Sequence, residues 1–212
     1  MKIKTINKKT KNKMKTITKT ILIALLAVIG WSGSVNAQQT TPFAIPDAHF
    51  FNYLINNTAI NTDSDGSIGF ISIAEATGFA GTINVQGLSI ANLTGISAFT
   101  ALTYLDCYNN QLTSLNVSGN TALTTLYCDN NLLTSLNVSA NTALDGLNCS
   151  FNSLTSLNVS ANTALTRLGC NNNQLTSLNV SANTDLTGLN CSDNQLTSLN
   201  MQVRLGLFKA EK

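Results

Sequence analysis

The sequence is poor in charged residues. Asp, Glu, Lys and Arg make up only 10% of its 212 residues, whereas about a quarter is usual for a soluble domain. A polar composition with little charge can indicate disorder, but 43% of this chain is hydrophobic, which favours a packed core. The length allows one or two domains.

Histidine is nearly absent, since His49 is the single one in the chain. A serine or cysteine nucleophile needs a general base within hydrogen-bond reach, and His49 falls in a predicted helix outside the repeats described below. Asp106 and Asp129 lie on neighbouring repeats and could form a carboxylate pair, but solvated surface charges are the better interpretation. We therefore predict no catalytic residues and no enzyme activity.

The N-terminal region lacks an apolar run long enough to cross a membrane. Its apolar stretch, residues 21–31, has 11 residues, while a spanning helix needs about 20. Eight lysines precede this stretch, and the small-residue sequence Val35-Asn36-Ala37 follows it. This order is typical of a secretory signal peptide over residues 1–37. We expect the mature chain to be secreted, either extracellular or at the cell surface, with no transmembrane segment.

Basic residues are scarce beyond the signal peptide. The mature chain keeps four of the 12 Lys and Arg residues and all ten acidic residues, so its formal net charge is −6. Nucleic-acid binding requires a basic surface to contact phosphates. The charge therefore argues against a nucleic-acid partner.

A repeat of 21 residues fills the second half of the chain. Each unit consists of Leu-x-x-Leu-x-Cys-x-x-Asn followed by Leu-x-x-Leu-x-Val-x-x-Asn, except that Met201 and Arg204 replace the Val and the last Asn of the fifth unit. A fixed period of this length indicates a solenoid in which each unit forms one coil. The five units, coils 1 to 5, begin at Leu102, Leu123, Leu144, Leu165 and Leu186.

The pattern within each unit predicts its local structure. Leu-x-Cys and Leu-x-Val alternate inward and outward, as short strands do. Stacked coils are expected to pair these strands into two parallel sheets on opposite sides of a flattened coil, with a shared core. The Asn that ends each half-unit is predicted to form a column at the turn, where its amide satisfies backbone groups.

The five cysteines recur at the same 21-residue spacing, which places them in one inward column of the core. Neighbours in such a column point the same way, so buried and reduced thiols are predicted. Disulfides between neighbouring coils, or a metal-binding or catalytic role, are the alternatives. The column consists of Cys107, Cys128, Cys149, Cys170 and Cys191.

The Leu-x-x-Leu-x-Leu-x-x-Asn signature resembles the leucine-rich-repeat family. The nested 21-residue form, with "LTSLNVSANTAL" joining the coils, is similar to secreted and surface leucine-rich-repeat proteins of the Bacteroidetes type. The resemblance implies a mainly β solenoid of parallel short strands with a small helical N-terminal cap. It also implies a binding function, commonly through the strand face.

The resemblance and the pattern together divide the chain into five parts. Asp47 is suited to cap a helix over about residues 48–56, and a second short helix is expected around residues 72–77. A divergent tail replaces the last turn, and it is either a makeshift cap or the end of a truncated chain. The parts are the signal peptide (1–37), the helical cap (38–80), a starter repeat (81–101), five repeats (102–200) and the tail (201–212).

The segment "NTDSDGS" resembles the start of a calcium-binding loop. Asn61, Asp63 and Asp65 stand at positions 1, 3 and 5 of such a loop, followed by Gly66. Position 12 should be a bidentate acid but is Ser72. An acidic turn before a helix is the alternative, so calcium is predicted only as a possible cofactor and no other is expected.

Outward residues of the first half-unit differ from coil to coil, whereas those of the second half-unit are nearly constant. Variation within a repeat indicates where specificity can lie, although drift without function is the alternative. Tyrosine is a preferred interface residue, and three of the four tyrosines fall here. The predicted partner-binding residues are Tyr104, Asp106, Tyr108, Tyr127, Asp129 and Arg167.

These observations predict a secreted or cell-surface binding module that mediates protein–protein interaction or adhesion. One alternative is a glycan-binding module, in which the tyrosines stack on sugar rings. Another is a purely structural repeat segment of a larger surface protein. Protein binding is expected to depend on salt, whereas sugar binding is expected to be competed by free saccharide.

Overall fold

The N-terminal helix of the described chain is held to the solenoid through its capping residue. A computed structural model describes residues 44–62, 71, 73–202 and 209–211; the predicted signal peptide, Asp63 and Asp65 lie outside them. Helix α1 is Ala48–Asn56 and helix α2 is Ile73–Gly78. Phe50 and Leu54 of α1 are buried.

Asp47 caps α1 and also contacts the starter coil. Its Oδ1 accepts hydrogen bonds from the N–H groups of His49 and Phe50, at 2.9 and 3.1 Å. Its Oδ2 accepts from the N–H groups of Ala91 and Asn92, at 2.9 and 3.2 Å. Partial burial raises the pKa of Asp47, but these four donors stabilise the carboxylate, and its pKa is lowered overall.

Short parallel strands follow the helices at the period of the repeat. The described strands are Thr82–Asn84 (β1), Tyr104–Asp106 (β2), Thr125–Tyr127 (β3), Gly146–Asn148 (β4), Arg167–Gly169 (β5), Ser177–Asn179 (β6), Gly188–Asn190 (β7), Ser198–Asn200 (β8) and Lys209–Glu211 (β9). The main sheet has the order β1-β2-β3-β4-β5-β7-β9. Ile83 pairs with Leu105 across a 22-residue step, and Leu105 pairs with Leu126 across 21 residues, the period of the repeat.

The second sheet is less extensive than the sequence predicts. Among the described residues it consists of β6 paired with β8, together with one isolated bridge between Asn116 and Asn137. At most of these positions the outward Asn acts within its own coil: Asn116 Oδ1 accepts from the N–H of Ser118, and Asn137 Oδ1 from that of Ser139. The same contact is made by Asn179 in β6 and by Asn148 in β4, so it is compatible with strand pairing. The outward Asn side chains of the second half-units therefore hold local turns within their own coils.

Leucine, valine and cysteine columns form one continuous core. The inward residues of the coils are buried, including Leu126, Val138 and Cys128 at 0% exposure. All five cysteines are free and buried, which confirms the prediction of reduced core thiols. Burial raises the pKa of every thiol for which a shift is resolved, that of Cys170 to about 12. At neutral pH these four thiols, of Cys107, Cys128, Cys149 and Cys170, are protonated, so they are poor nucleophiles and poor metal ligands.

Two columns of asparagine side chains satisfy the backbone at the turns. In the first column, Asn131 Nδ2 donates to the carbonyl oxygens of Cys107 and Cys128, at 3.0 and 3.2 Å, and its Oδ1 accepts from the N–H of Leu112 at 3.0 Å. Each residue of this column repeats the pattern by contacting the coil before it. The column consists of Asn110, Asn131, Asn152, Asn173 and Asn194.

The second column uses only the donor side of the amide. Asn141 Nδ2 donates to the carbonyl oxygens of Val117 and Asn120, at 2.9 and 2.8 Å. Its Oδ1 is buried and accepts no hydrogen bond within the described part of the chain. Equivalent contacts are made by Asn120, Asn162 and Asn183.

The C-terminal segment adds a strand to the main sheet. Strand β9 pairs in parallel with β7, with Lys209 opposite Gly188. This is again a 21-residue step, so the segment occupies the strand position of a further coil.

We predict that the two asparagine columns differ in their contribution to stability. Asn141→Ala should lower the free energy of unfolding by about 2 kcal/mol, because two buried hydrogen bonds are lost while each carbonyl keeps another donor. Asn131→Ala should cost about 3–4 kcal/mol, because it also leaves the buried N–H of Leu112 without a partner.

Urea unfolding of both variants measures this difference, with the exposed Asn137→Ala as the control. The control should cost less than about 1 kcal/mol, since its single bond is solvent-exposed. Equal losses for the two buried variants would contradict the account of the columns.

Candidate partner-binding face

The outward side of the main sheet carries the predicted partner-binding residues. We call this surface the strand face and define it by the outward residues of each first half-unit, such as Thr125, Tyr127 and Asp129 on coil 2. Strand β3 shows the alternation that produces it: Leu126 is buried, whereas Tyr127 on the same strand is exposed. The parallel register places equivalent outward residues side by side on successive coils.

Five of the six predicted residues lie together. Tyr104 and Asp106 are on β2, and Asp106 stands in register with Tyr127 on β3. Tyr108 and Asp129 follow these two strands. Arg167 is on β5, with β4 between it and β3, so it is separate from this cluster.

Two of the tyrosines are in direct contact. The ring centroids of Tyr104 and Tyr127 are 5.7 Å apart, and the rings meet edge to face at 76°. This is a favourable aromatic geometry. Burial, the charge of Asp106 and the neighbouring Tyr127 together raise the pKa of Tyr104. Tyr108 and Tyr127 nevertheless keep 41% and 36% of their surface exposed.

Asp106 is not the solvated surface charge that the sequence led us to expect. It is only 7% exposed, because its strand is internal and places Asn84 on one side and Tyr127 on the other. The N–H of Tyr108 donates to its Oδ1 at 3.0 Å. The sequence reveals alternation along a strand, but not the size of the neighbours across it.

Asp129 is partly buried beside Asp106. Burial raises the pKa of its carboxyl group, and repulsion from Asp106 raises it further against the opposing effect of its own N–H. The cationic residue predicted for this surface, Arg167, lies two strands away. The cluster therefore combines exposed aromatic surface with two neighbouring carboxylates.

The set of partner-binding residues predicted from the sequence omits two exposed apolar residues. Leu132 and Phe151 are 56% and 54% exposed, and both follow the strands at the C-terminal edge of the sheet. The sequence contains this signal, because the position of Leu132 holds Gln or Ser on the other coils and that of Phe151 holds Asn or Asp. Phe151 lies one residue after Ser150, and Leu132 lies three residues after Asp129; Ser150 and Asp129 are the last outward residues of the strand face on their coils.

The predicted calcium residues are only partly within the described structure. Asn61 Nδ2 donates to the carbonyl oxygen of Ile55 at 3.0 Å, and its buried Oδ1 has no described partner. Glu75 accepts hydrogen bonds from the N–H and hydroxyl groups of Thr62, at 2.8 and 3.2 Å. These contacts join Thr62 to α2. The described residues contain no group of three or more metal-binding side chains.

None of the helices in the described part of the chain is both long and apolar enough to cross a bilayer.

We predict that Asp129→Asn stabilises the fold at neutral pH. Because folding raises the pKa of Asp129, the folded chain binds this proton more tightly than the unfolded chain does. The ionised carboxylate thus costs stability above that pKa and costs nothing once both states are protonated.

The melting temperature of this variant should exceed that of the wild type at pH 7, and the difference should vanish at strongly acidic pH. Asp145→Asn, at an exposed position outside the cluster, is the control. A variant that is less stable at pH 7, or a gain independent of pH, would contradict the assigned cause.

Comparison with known proteins identifies the type of repeat. A family model described as leucine-rich repeats (two copies) matches residues 100–141. A search of curated proteins finds no significant match. Among solved structures, the chain is similar to the functional domain of InlJ from Listeria monocytogenes, which is described as including a cysteine ladder. The identity is 35% and the TM-score 0.62, over 79% of this chain and 39% of that one.

Two further structures extend the comparison. A leucine-rich-repeat protein of Leptospira interrogans is 26% identical, with a TM-score of 0.52 over 55% of this chain and 32% of its own. An internalin of Listeria monocytogenes, InlF, is 22% identical, with a TM-score of 0.63 over 83% of this chain and 55% of its own; this likeness concerns the fold alone. The chain spans less than two thirds of each of these structures.

The period, the parallel register and these likenesses agree: the repeats are leucine-rich repeats, and the protein has the leucine-rich-repeat solenoid fold.

Proposed function

We propose that the chain is a secreted or surface-displayed module that binds a protein partner through the strand face. The observation that carries this proposal is the cluster of Tyr104, Tyr108 and Tyr127 around Asp106 and Asp129. Exposed tyrosine supplies apolar area with a polar tip and is enriched at interface hot spots. Such solenoids typically serve as binding scaffolds, and no catalytic role is proposed.

The acidic pair supports a binding role through its cost to stability. Burial raises the pKa of Asp129, so its charge is held in an unfavourable environment. Residues that oppose stability without a structural compensation are often retained for function. A cationic group from a partner would relieve this cost, and such a contact would weaken with salt.

The size of the strand face limits the affinity that it can provide. Five coils with three outward residues each offer about 15 positions, whereas a standard interface uses roughly 20–30 residues on each side. The strand face therefore requires a small partner epitope, or additional contacts from neighbouring surface.

The rings of Tyr104 and Tyr127 bear on the choice between a protein and a glycan. They meet at 76° and so do not form one flat platform, whereas stacking on a sugar ring uses an aromatic face. We therefore propose a protein partner, in an interaction or adhesion role, and treat a glycan as the alternative outcome of the experiment.

The proposed location follows from the sequence of residues 1–37. Their order of lysines, apolar stretch and small residues is that of a secretory signal. We propose that the mature chain acts outside the cytoplasm, either released or at the cell surface. The purely structural role within a larger protein is what remains if no partner binds.

We predict that Tyr104→Ala, Tyr108→Ala and Tyr127→Ala together abolish partner capture. The mature chain would be immobilised and exposed to whole-cell and matrix extracts beside the triple variant. Loss of three anchors should weaken binding by more than about a hundredfold, since hot-spot residues contribute about 2 kcal/mol or more each. The captured species is identified by mass spectrometry, and free saccharides and salt are then tested as competitors.

A matched control makes three changes on the opposite side of the coils. Ser118→Ala, Ser139→Ala and Ser160→Ala alter exposed hydroxyl groups of the second half-units and should leave capture unchanged. Both variants must melt cooperatively. Equal capture by the tyrosine variant and the wild type would reject the strand face, and no capture by any form would favour the structural role.

We also propose a calcium site at the acidic segment of the cap. The buried Oδ1 of Asn61 is an available ligand, and the contacts of Thr62 with Glu75 join one end of the segment to α2. Asp63 and Asp65 would supply further oxygen ligands.

Calcium should raise the melting temperature of the chain, because a ligand that binds only the folded state stabilises it. A chelator should lower the melting temperature, and Asp63→Asn with Asp65→Asn should remove both effects. Identical melting curves with calcium and with chelator would reject the site.

A further inference from the structure

Phe151 has a backbone conformation that does not suit it. Its φ angle is +52°, in the left-handed region, where Asn and Asp are favoured and a bulky residue is an outlier. The other four coils have the expected residues at this position, all with φ between 52° and 54°: Asn109, Asn130, Asn172 and Asp193. Coil 3 is thus the exception in an otherwise regular column.

Phe151 also interrupts a column of side-chain hydrogen bonds. Asn130 Nδ2 donates to Asn109 Oδ1 at 2.8 Å on one side of it, and Asn172 Nδ2 donates to Asp193 Oδ2 at 3.4 Å on the other. A phenyl group can join neither pair, and it is more than half exposed. Phe151 therefore has an unfavourable backbone conformation, lacks the side-chain hydrogen bond of its column, and exposes an apolar ring to solvent. Such outliers point to a functional role.

Leu132 is a second exception beside the first. Its position holds Gln111, Ser153, Gln174 and Gln195 on the other coils, and its side chain is the most exposed large apolar one in the described chain. The carbonyl oxygen of Phe151 accepts a hydrogen bond from the N–H of Asn131, the residue before Leu132, at 3.2 Å. The two apolar residues therefore lie on adjacent coils at the same edge of the sheet.

This edge is continuous with the aromatic and acidic end of the strand face. The N–H of Asn109, next to Tyr108, donates to the carbonyl oxygen of Asp129 at 3.1 Å. The next coil continues the contact, because the N–H of Asn130 donates to Ser150, the residue before Phe151. We call Tyr108, Asp129, Leu132 and Phe151 the edge patch. It spans coils 1 to 3.

We propose that the edge patch binds a protein segment in which an apolar side chain stands next to an arginine or lysine. Leu132 and Phe151 supply the apolar surface, and the partly buried carboxylate of Asp129 supplies the complementary charge. The inference rests on the proposed function, because it assigns the chemistry of the partner and extends the site over the edge of the sheet.

The negative charge of the edge patch argues against a membrane surface and against a second copy of this chain as its partner. A membrane surface is usually anionic and attracts basic residues, whereas the mature chain carries −6 and the edge patch contains an acid. A second copy packed symmetrically on the edge patch would bring two Asp129 carboxylates together, which is unfavourable. A basic and apolar segment meets both requirements of the patch.

The test is a selection from a displayed library of short random peptides on the purified chain. A parallel selection on Phe151→Asn, which restores the residue type of the sister coils, provides the comparison. We expect enriched peptides to place a basic residue beside an apolar one. A synthesised peptide from the enriched pool should bind Phe151→Asn at least roughly tenfold more weakly than the wild type, the scale of one lost hot spot. The variant itself should melt at a higher temperature than the wild type, because Asn suits the left-handed backbone conformation of this position.

Two further variants sharpen the result. Leu132→Gln, also the residue of sister coils, should weaken binding several-fold. The double variant Phe151→Asn with Asn172→Phe moves the phenyl group one coil away at an equivalent backbone position, and it should not restore binding. Restoration would show that any exposed phenyl suffices and would overturn the edge patch.

The remaining outcomes separate this inference from the proposed function. Peptides that no longer bind the Tyr104→Ala, Tyr127→Ala variant but still bind Phe151→Asn would overturn the edge patch and support the strand face. Peptides that no longer bind Phe151→Asn but still bind the tyrosine variant would support the edge patch and overturn the strand face. Enrichment without basic residues, or no enrichment over Phe151→Asn, would reject the stated partner. Self-association or vesicle binding that Phe151→Asn abolishes would reject it in favour of a second copy or a membrane.

Discussion

The structure depends on satisfying the backbone at the turns of each coil. A solenoid with very short strands leaves most of its peptide groups outside the sheets, and a buried peptide group without a partner is costly. The amide of Asn131 contacts three such groups, including carbonyl oxygens on two coils. Because each amide joins its own coil to the one before it, the asparagine columns stabilise the turns and the stacking together.

Because the inward and turn residues determine the fold, the outward positions are free to vary. Leucine, valine, cysteine and asparagine occupy the inward and turn columns and fix the shape of the coil. The outward residues of the first half-units contribute little to that shape. Tyr104, Asp106 and Tyr127 could therefore be introduced without loss of the fold, and the parallel register then placed them side by side.

The period of the sequence was sufficient to predict the fold but not the environment of single side chains. The 21-residue period predicted parallel pairing of successive coils, such as Leu105 with Leu126, and a helix start at Asp47 followed from capping chemistry. The period identifies Tyr127 as a neighbour of Asp106 across the sheet, but it does not give how much of the Asp106 side chain the neighbours cover. The reduced second sheet has no such local explanation, since the turn contacts of its outward Asn residues also occur in paired strands such as β4 and β6.

The unfavourable features of the molecule are concentrated in coils 1 to 3. Asp129 holds a charge in a partly buried position, Phe151 has a left-handed backbone, and Leu132 exposes an apolar side chain. The same columns in coils 4 and 5 contain the small polar residues that suit them, such as Asn171 and Asn172. Drift would distribute such departures along the whole solenoid, whereas a binding site requires them to be adjacent. The adjacency of Asp129, Leu132 and Phe151 at one edge of the sheet therefore favours selection for a partner over relaxed constraint.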